Sequence, residues 1–472
     1  MIIDDASVQE LREHLRGRVF LPGAEGYDDA RRIFNAMIDR RPAVIVRCAG
    51  VADVVAAVNF AREAGDLVAV RGGGHNVAGH AVCDGGVVID LSAMKSIRVD
   101  ASGGTARAEG GCTWGDFDHA TQAFGLATTG GIVPSTGIAG LTLGGGIGYL
   151  NRKYGLACDN LLAADVVTAD GELLTVSATE NDDLFWGLRG GGGNLGVVTS
   201  FEYQVHPVGP VLGGELVYPL DQAKEALRFY RDWSTDAPDE VRADATLLST
   251  PDGPALAFIV CYCGSVDEGE TVLQPLRRFG SPMHDTIACV AYETVQNLLT
   301  EVFQPGQRHY WKSGFFHEFS DEVIEAIVDF FASAVPPPFA AVAIEHLGGA
   351  IGRVGERDTA FGHRHATHSL LVLRMWQDPA ESDENIAWGR SCYRSAEPFL
   401  DSGVYVNYLG DEGEARIRAA YGANYERLVE IKARYDPENL FRLNQNVTPV
   451  LVPGTISGST SPSTSWKKSS AS

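Results

Sequence analysis

The 54 glycines of this 472-residue chain gather into three runs, at 71–76, around 128–148 and at 189–196, and thin out between about 208 and 400. Glycine lets backbone approach a large ligand closely and take φ > 0 at little steric cost. Clustered glycines therefore bind the first half of the chain to several close backbone approaches rather than to disorder. The first run, Arg71-Gly72-Gly73-Gly74-His75-Asn76, sets an imidazole directly after three residues with no side chain. Residues 66–70 read as a short buried strand, so the glycines form its exit loop, a usual place for a ligand. Taken alone, the hexapeptide reads more simply as a tight turn followed by a polar histidine.

Around that loop the periodicities alternate. Residues 43–46 form an apolar β-type run, and Val51, Val54, Val55, Val58 and Ala61 recur at helical spacing up to Gly65. Strands are expected at 86–91 and as a hairpin-like pair at 96–100 and 105–109, and 114–124 has helical character. Small strands and one-turn helices in this mixture indicate an α+β fold rather than a regular doubly wound sheet. The second glycine run, with its Ser and Thr hydroxyls, can present a row of N–H groups to an anion such as a pyrophosphate. It contains no G-x-x-x-x-G-K-[ST] pattern, which argues against nucleoside-triphosphate chemistry. The third run formally contains G-x-G-x-x-G from Gly191 to Gly196. A helical pattern (182–188) precedes it and a strand (197–201) follows, the reverse of the order a nicotinamide-binding Rossmann site requires.

From about 208 the texture changes to helices (222–233, 321–334) alternating with strands (255–263, 340–346, 369–375), read as a sheet with helices on one side. Residues 403–410 read as a strand, 414–435 as one helix, and the segment from Gly454 as a disordered tail. A net charge of −23 leaves no basic face for nucleic acid. The charge-free run 119–151 is too rich in Gly, Ser, Thr and Pro to cross a membrane. The N-terminus has neither the basic nor the apolar region of a secretory signal, which makes the cytoplasm the expected location. The eight cysteines are scattered, with no zinc or redox spacing, and His363, His365 and His368 lack a metal-like register.

Five stretches in order, Arg71-Gly-Gly-Gly-His75, the Gly130–Leu150 run ending at Leu156, 189–198, Tyr405-Val-Asn-Tyr408 and the terminal 435–446, resemble the berberine bridge enzyme-like FAD-linked oxidases. These belong to the vanillyl-alcohol oxidase and p-cresol methylhydroxylase flavoprotein superfamily. The resemblance implies a two-part FAD-binding domain of two small α/β subdomains, formed by 1–207 and 403–453, with 454–472 as tail. The inserted 208–402 would be a substrate domain of antiparallel sheet covered by helices. It implies an oxidoreductase that takes a hydride from a C–H of a small-molecule alcohol, sugar or secondary metabolite, reoxidised by O2. A dehydrogenase with another acceptor and a non-catalytic flavin-binding module stand as alternatives, and the chain would be a monomer or homodimer.

Residue by residue, the family's covalent histidine falls on His75, where a neutral imidazole can attack an electrophilic methide at the flavin 8α carbon. Further cofactor contacts fall on Arg71, Gly72, Gly73, Gly74, Asn76, Gly130, Gly131, Val133, Gly137, Gly140, Thr142, Gly144, Gly145, Gly146, Gly196, Val198 and Asn444. Arg71 reads equally as a solvated strand-end arginine. Many relatives add a cysteine bond at the position of Val133, so a single bond through His75, with no Cys link, is expected. Thr136 stands where the family usually has Val or Leu affecting oxygen access, which leaves oxidase against dehydrogenase open. Tyr408 and Tyr405 are the catalytic candidates, Tyr408 the better base provided a partner lowers its pKa from about 10. In a regular strand the two would face opposite ways. Lys312, Tyr310 and Trp114 are substrate candidates, Trp114 reading also as packing; His80 reads as structural and no metal is expected.

Overall fold

Val54, Ala57, Val58 and Ala61 are fully buried on one face of the helix Val51–Ala64, the i, i+3, i+4, i+7 stripe of an amphipathic helix. The structure, a computed structural model, describes residues 3–250, 253–334 and 339–450. The expected tail from Gly454 lies outside the described residues. The helix ends where Gly65 takes φ +69 and its N–H returns to Ala61 and Arg62 carbonyls, a left-handed C-terminal cap. It packs on a four-stranded sheet ordered Arg18–Phe20, Val44–Arg47, Val87–Asp90, Val68–Arg71, in which the last three strands are parallel. The exit of Val68–Arg71 is the first glycine run.

A second, antiparallel sheet runs Ile97–Asp100, Thr105–Glu109, Val197–Gln204, Leu161–Val167, Leu173–Ser177. Its core takes Phe117, Phe201 and Tyr203 together with Val404, Leu409, Leu428 and Val447 from the far end of the chain, so the last described residues pack with the first two hundred. The expected helix over 414–435 is two helices, Glu414–Tyr421 and Tyr425–Tyr435. Gly422 at φ +52 breaks the run, a conformation that interrupts helical hydrogen bonding.

A third sheet of eight antiparallel strands holds the middle of the chain, ordered His284–Asp285, Val211–Pro219, Gly253–Tyr262, Val241–Thr250, Phe339–His346, His368–Trp376, Arg308–Phe315, with Ala288–Val290 also pairing Val211–Pro219. Alternation gives it two unlike faces. Leu216, Leu247, Phe258, Val342 and Leu370 are buried in one core with residues of the helices Ala223–Thr235, Asp321–Ser333 and Ser382–Ala396. The residues between them in sequence, Glu215, Thr246, Ala257 and Ala343 together with the aliphatic Leu248, Ile259 and Leu371, turn to the opposite side. No described helix is long and apolar enough to cross a membrane.

One buried acid ties the second sheet's helix to the third. Asp118, on Trp114–Gln122, is 1% exposed; its Oδ2 accepts from Gln296 Nε2 at 2.7 Å and its Oδ1 has no partner among the described residues. Burial pushes its pKa up to about 7, against the Gln296 hydrogen bond. The folded form therefore binds more protons than the unfolded chain between about pH 4 and 7, and stability falls as pH rises through that window. Asp118→Asn should unfold later than the wild type above pH 7, by roughly 2–4 kcal/mol from the size of such a shift, with the gap closing below about pH 4. Urea unfolding across pH measures it, and a constant gap would show that ionisation of Asp118 is not the cause.

Candidate active site

Arg71 anchors the loop that carries His75. Its Nε and Nη2 donate to Asp90 Oδ1 and Oδ2 at 3.1 and 2.5 Å, Arg47 joins the same carboxylate, and its Nη1 donates to the Ala30 carbonyl. With Asp90 0% exposed, this is a buried, fully engaged pair that fixes the strand end. Next to it, a Cβ on Gly73 would stand 2.3 Å from the backbone N of Gly137, and one on Gly137 would stand 2.3 Å from Gly73 N. Only glycine on both sides lets the first two glycine runs touch. That contact sets His75 against the second run: its Nε2 is 3.0 Å from Ser135 Oγ and its Nδ1 3.4 Å from Thr136 Oγ1. The ring stacks on Phe34 at 4.2 Å, and Phe34 stacks on His309 at 4.2 Å. Burial lowers the His75 pKa to about 4, so the imidazole is neutral at pH 7 with a lone pair available.

These loops wall one end of a cavity of about 500 Å3, within the range of small-molecule sites. Gly72, Gly73, Gly74, His75, Asn76, Gly131, Val133, Gly137, Gly140, Tyr408 and Asn444 line it. A flavin dinucleotide fits this end on two observations. Where a Cβ would stand on Gly140 nothing lies within 4 Å, and on Gly193 only the Asn444 Cβ at 4.0 Å, so bare backbone faces open space. Asn444 keeps a buried Oδ1 with no partner while its Nδ2 holds the Gly193 and Phe441 carbonyls; an orphaned buried acceptor calls for a donor from a ligand. No cysteine lines the cavity among the described residues.

The other end is the third sheet's small-residue face, closed by the 403–410 segment. That segment is a 3-10 turn, Val406–Tyr408, where a strand was expected. The Tyr405 hydroxyl accepts from the Gly146 and Ile147 N–H groups at 2.9 and 3.3 Å and from Asn407 Nδ2 at 2.8 Å, which pins the chain in a turn. The turn brings both rings to one side, Tyr405 edge-on to Tyr408 at 4.8 Å. Tyr405 itself is 1% exposed and does not line the cavity. Tyr408 does, and its hydroxyl donates to Glu345 Oε1 at 2.8 Å. Ser369 Oγ donates to Glu345 Oε2 at 2.6 Å, and Arg242 Nη2 lies 3.4 Å from Oε1 while it pairs with Asp244 at 2.7 Å. Burial raises Glu345, opposed by Arg242 and assisted by Asp244. Burial and then the neighbouring Glu345 hold Tyr408 well above an ordinary phenol. The partner expected to lower the tyrosine is thus a carboxylate that raises it.

Several candidates are engaged elsewhere. Alternation along Arg308–Phe315 turns Trp311 to the cavity and Tyr310 and Lys312 away from it. Tyr310 lies beside Arg390, and Lys312 pairs with Glu412 at 2.5 Å. Trp114, 0% exposed, packs against Gly130, where a Cβ would come within 2.5 Å of its ring. The Thr142 hydroxyl bonds Tyr203 at 2.8 Å. Gly144, Gly145 and Gly146 make room for Asn407, Phe361 and Ala157, and Gly196 for Val166; Val198 is buried in the second sheet's core. None of these lines the cavity, and neither does Arg71. Phe34, Ser135, Asp244 and Glu345 were not singled out from sequence. The one available signal was an acid in the otherwise apolar strand 339–346.

Residues 42–177 match the family model described as FAD binding domain, and 404–448 the one described as Berberine and berberine like. An FAD-linked oxidoreductase of Dictyostelium discoideum is 33% identical over 448 residues, covering 94% of this chain and 97% of that protein. The crystal structure of 6-hydroxy-D-nicotine oxidase from Arthrobacter nicotinovorans superposes with a TM-score of 0.87 at 31% identity, over 92% of this chain and 98% of that one. Glucooligosaccharide oxidase from Acremonium strictum, a protein with a 6-S-cysteinyl, 8α-N1-histidyl FAD, gives a TM-score of 0.85 at 25% identity over 95% of this chain and 100% of that one. With its FAD-binding fold, its glycine-walled cavity and relatives matched nearly end to end, the chain belongs to the berberine bridge enzyme-like FAD-linked oxidoreductases.

Proposed function

We propose that this enzyme oxidises a small-molecule C–H next to an oxygen or nitrogen, with Tyr408 and Glu345 as its proton-accepting pair, His75 as its single covalent flavin link and O2 as acceptor. FAD, when bound, supplies the hydride acceptor. The observation that carries the reading is the 2.8 Å hydrogen bond from Tyr408 to a buried carboxylate at the cavity wall. A phenol held well above its ordinary pKa is no standing base at pH 7. Glu345 resolves this: as the substrate proton moves to Tyr408 Oη, the tyrosine proton moves to Glu345 Oε1, whose raised pKa makes it the better acceptor. Trp311 braces the Tyr408 ring edge-on at 5.7 Å, and Asp244 holds Arg242 beside the pair.

The relay needs Glu345 ionised. Its pKa is raised, so the rate of anaerobic flavin bleaching by substrate should be low in acid and climb through a pH above the usual carboxylate range. Glu345→Gln should be slow throughout and lose that ascending limb in stopped-flow bleaching. An unchanged limb in the variant would assign the titration to another group. Stopped-flow reoxidation with O2 decides the acceptor: rapid reoxidation is the expected result, and slow reoxidation, with the Thr136 hydroxyl on the cavity beside His75, would assign another acceptor.

A further inference from the structure

The third sheet sorts its cavity face into rows. Register places Glu215 and Asp244 on either side of Ile259, and the pairing of Ala245 with Ile344 sets Asp244 next to Glu345. That acidic row ends beside Tyr408. The next rows are small or aliphatic: Ala257, Thr246 and Ala343, then Leu248, Ala341 and Leu373, all on the cavity. Small side chains at these positions leave the volume that a flat ring would occupy, and they offer one hydroxyl among them.

Charge sharpens the picture. Neither lysine nor arginine lines the cavity among the described residues, and its histidines, His75 and His80, are both lowered to about 4 by burial. Arg242 stands behind the wall, 0% exposed and bound to Asp244 and Glu345, so it is already shared between two carboxylates. The Glu215 carboxylate has no partner among the described residues; only its backbone is bonded, to Thr286. Tyr149, 2% exposed and lining the same cavity, keeps a hydroxyl with no partner and lies in the field of Asp244 and Glu215. An orphaned buried hydroxyl is costly unless a ligand supplies a hydrogen bond, and the half-buried Glu215 carboxylate beside it is free to meet a ligand's cation.

We propose that the substrate is an apolar ring compound bearing a basic, protonated amine, with the amine against Glu215 and Tyr149 and the ring on the alanine and leucine rows. This rests on the reading of Tyr408 and Glu345 as the reacting end of the same cavity. A neutral oligosaccharide would meet aliphatic side chains where its hydroxyls need partners, and a carboxylate would meet like charge.

The test titrates the FAD-loaded enzyme anaerobically at pH 7 with 2-(2-naphthyl)ethylamine, the matching alcohol, 2-naphthylacetate and cellobiose, reading Kd from the perturbed flavin absorbance. The amine should bind at least tenfold tighter than the alcohol, and the carboxylate and cellobiose weaker than both. Glu215→Gln should erase most of the amine's advantage and leave the alcohol's Kd unchanged. Equal affinity for amine and alcohol, tighter cellobiose, or an amine advantage that survives Glu215→Gln would overturn the proposal. The two readings fail separately: a wild-type bleaching rate in Tyr408→Phe would remove the proton pair and leave the affinity ranking to judge the substrate class.

Discussion

Tyr408→Phe should slow anaerobic flavin bleaching by about 10²–10⁴-fold, the span that loss of a positioned proton-transfer group produces, while substrate Kd changes little. The variant is conservative in every other respect. Phe keeps the edge-on packing on Tyr405 at 4.8 Å and Trp311 at 5.7 Å and removes one hydroxyl. Glu345 retains its Ser369 and Arg242 contacts, so no buried charge is stranded. Rate and affinity should therefore separate, with the loss in the bleaching rate constant and not in binding. The relay makes a second demand. If Glu345 acts through Tyr408, Tyr408→Phe combined with Glu345→Gln should cost little more than the worse single variant, because both remove one step. Additive losses would mean that the two act independently, and a wild-type rate in Tyr408→Phe would end the relay outright.

What the sequence could and could not disclose follows from how local each feature is. The helix Val51–Ala64 and the strand ending at Arg71 are written in short-range periodicity, and the glycines at 73 and 137 mark where backbone must touch backbone, so the His75 loop was legible before its partner was known. The Tyr405–Tyr408 segment was not. Its turn is imposed by a hydroxyl bonding N–H groups at 146 and 147, more than 250 residues away, and no local pattern carries that information. Tyr310 and Lys312 belong to a strand whose presence is readable, but which parity faces the cavity depends on helix Ser382–Ala396 covering the other side. The Glu345 site is the most non-local of all. Arg242 and Asp244 reach it through a register between strands about a hundred positions apart, and an acid inside an apolar strand was its one trace in the sequence.

His75→Ala should abolish covalent flavin: after acid precipitation the wild type should keep its yellow colour with the polypeptide and the variant should lose all of it to the supernatant. The nucleophile requires an unprotonated nitrogen near neutral pH, and burial gives His75 that form by lowering its pKa to about 4. The hydroxyls of Ser135 and Thr136 lie at its two nitrogens and Phe34 stacks on its face, which together hold the ring in one orientation. His80 is the informative control. It is equally neutral and on the same cavity wall, so His80→Ala should retain the colour if attachment depends on position and not merely on a deprotonated imidazole. With valine at 133 and no cysteine on the cavity among the described residues, the variant is expected to form no other link. The variant's stability should accordingly depend on added FAD, its melting temperature rising with free cofactor as mass action requires, whereas the wild type's should not. Retained colour in His75→Ala would place the bond on another residue, and an FAD-independent melting temperature would show that the scaffold no longer holds the cofactor at all.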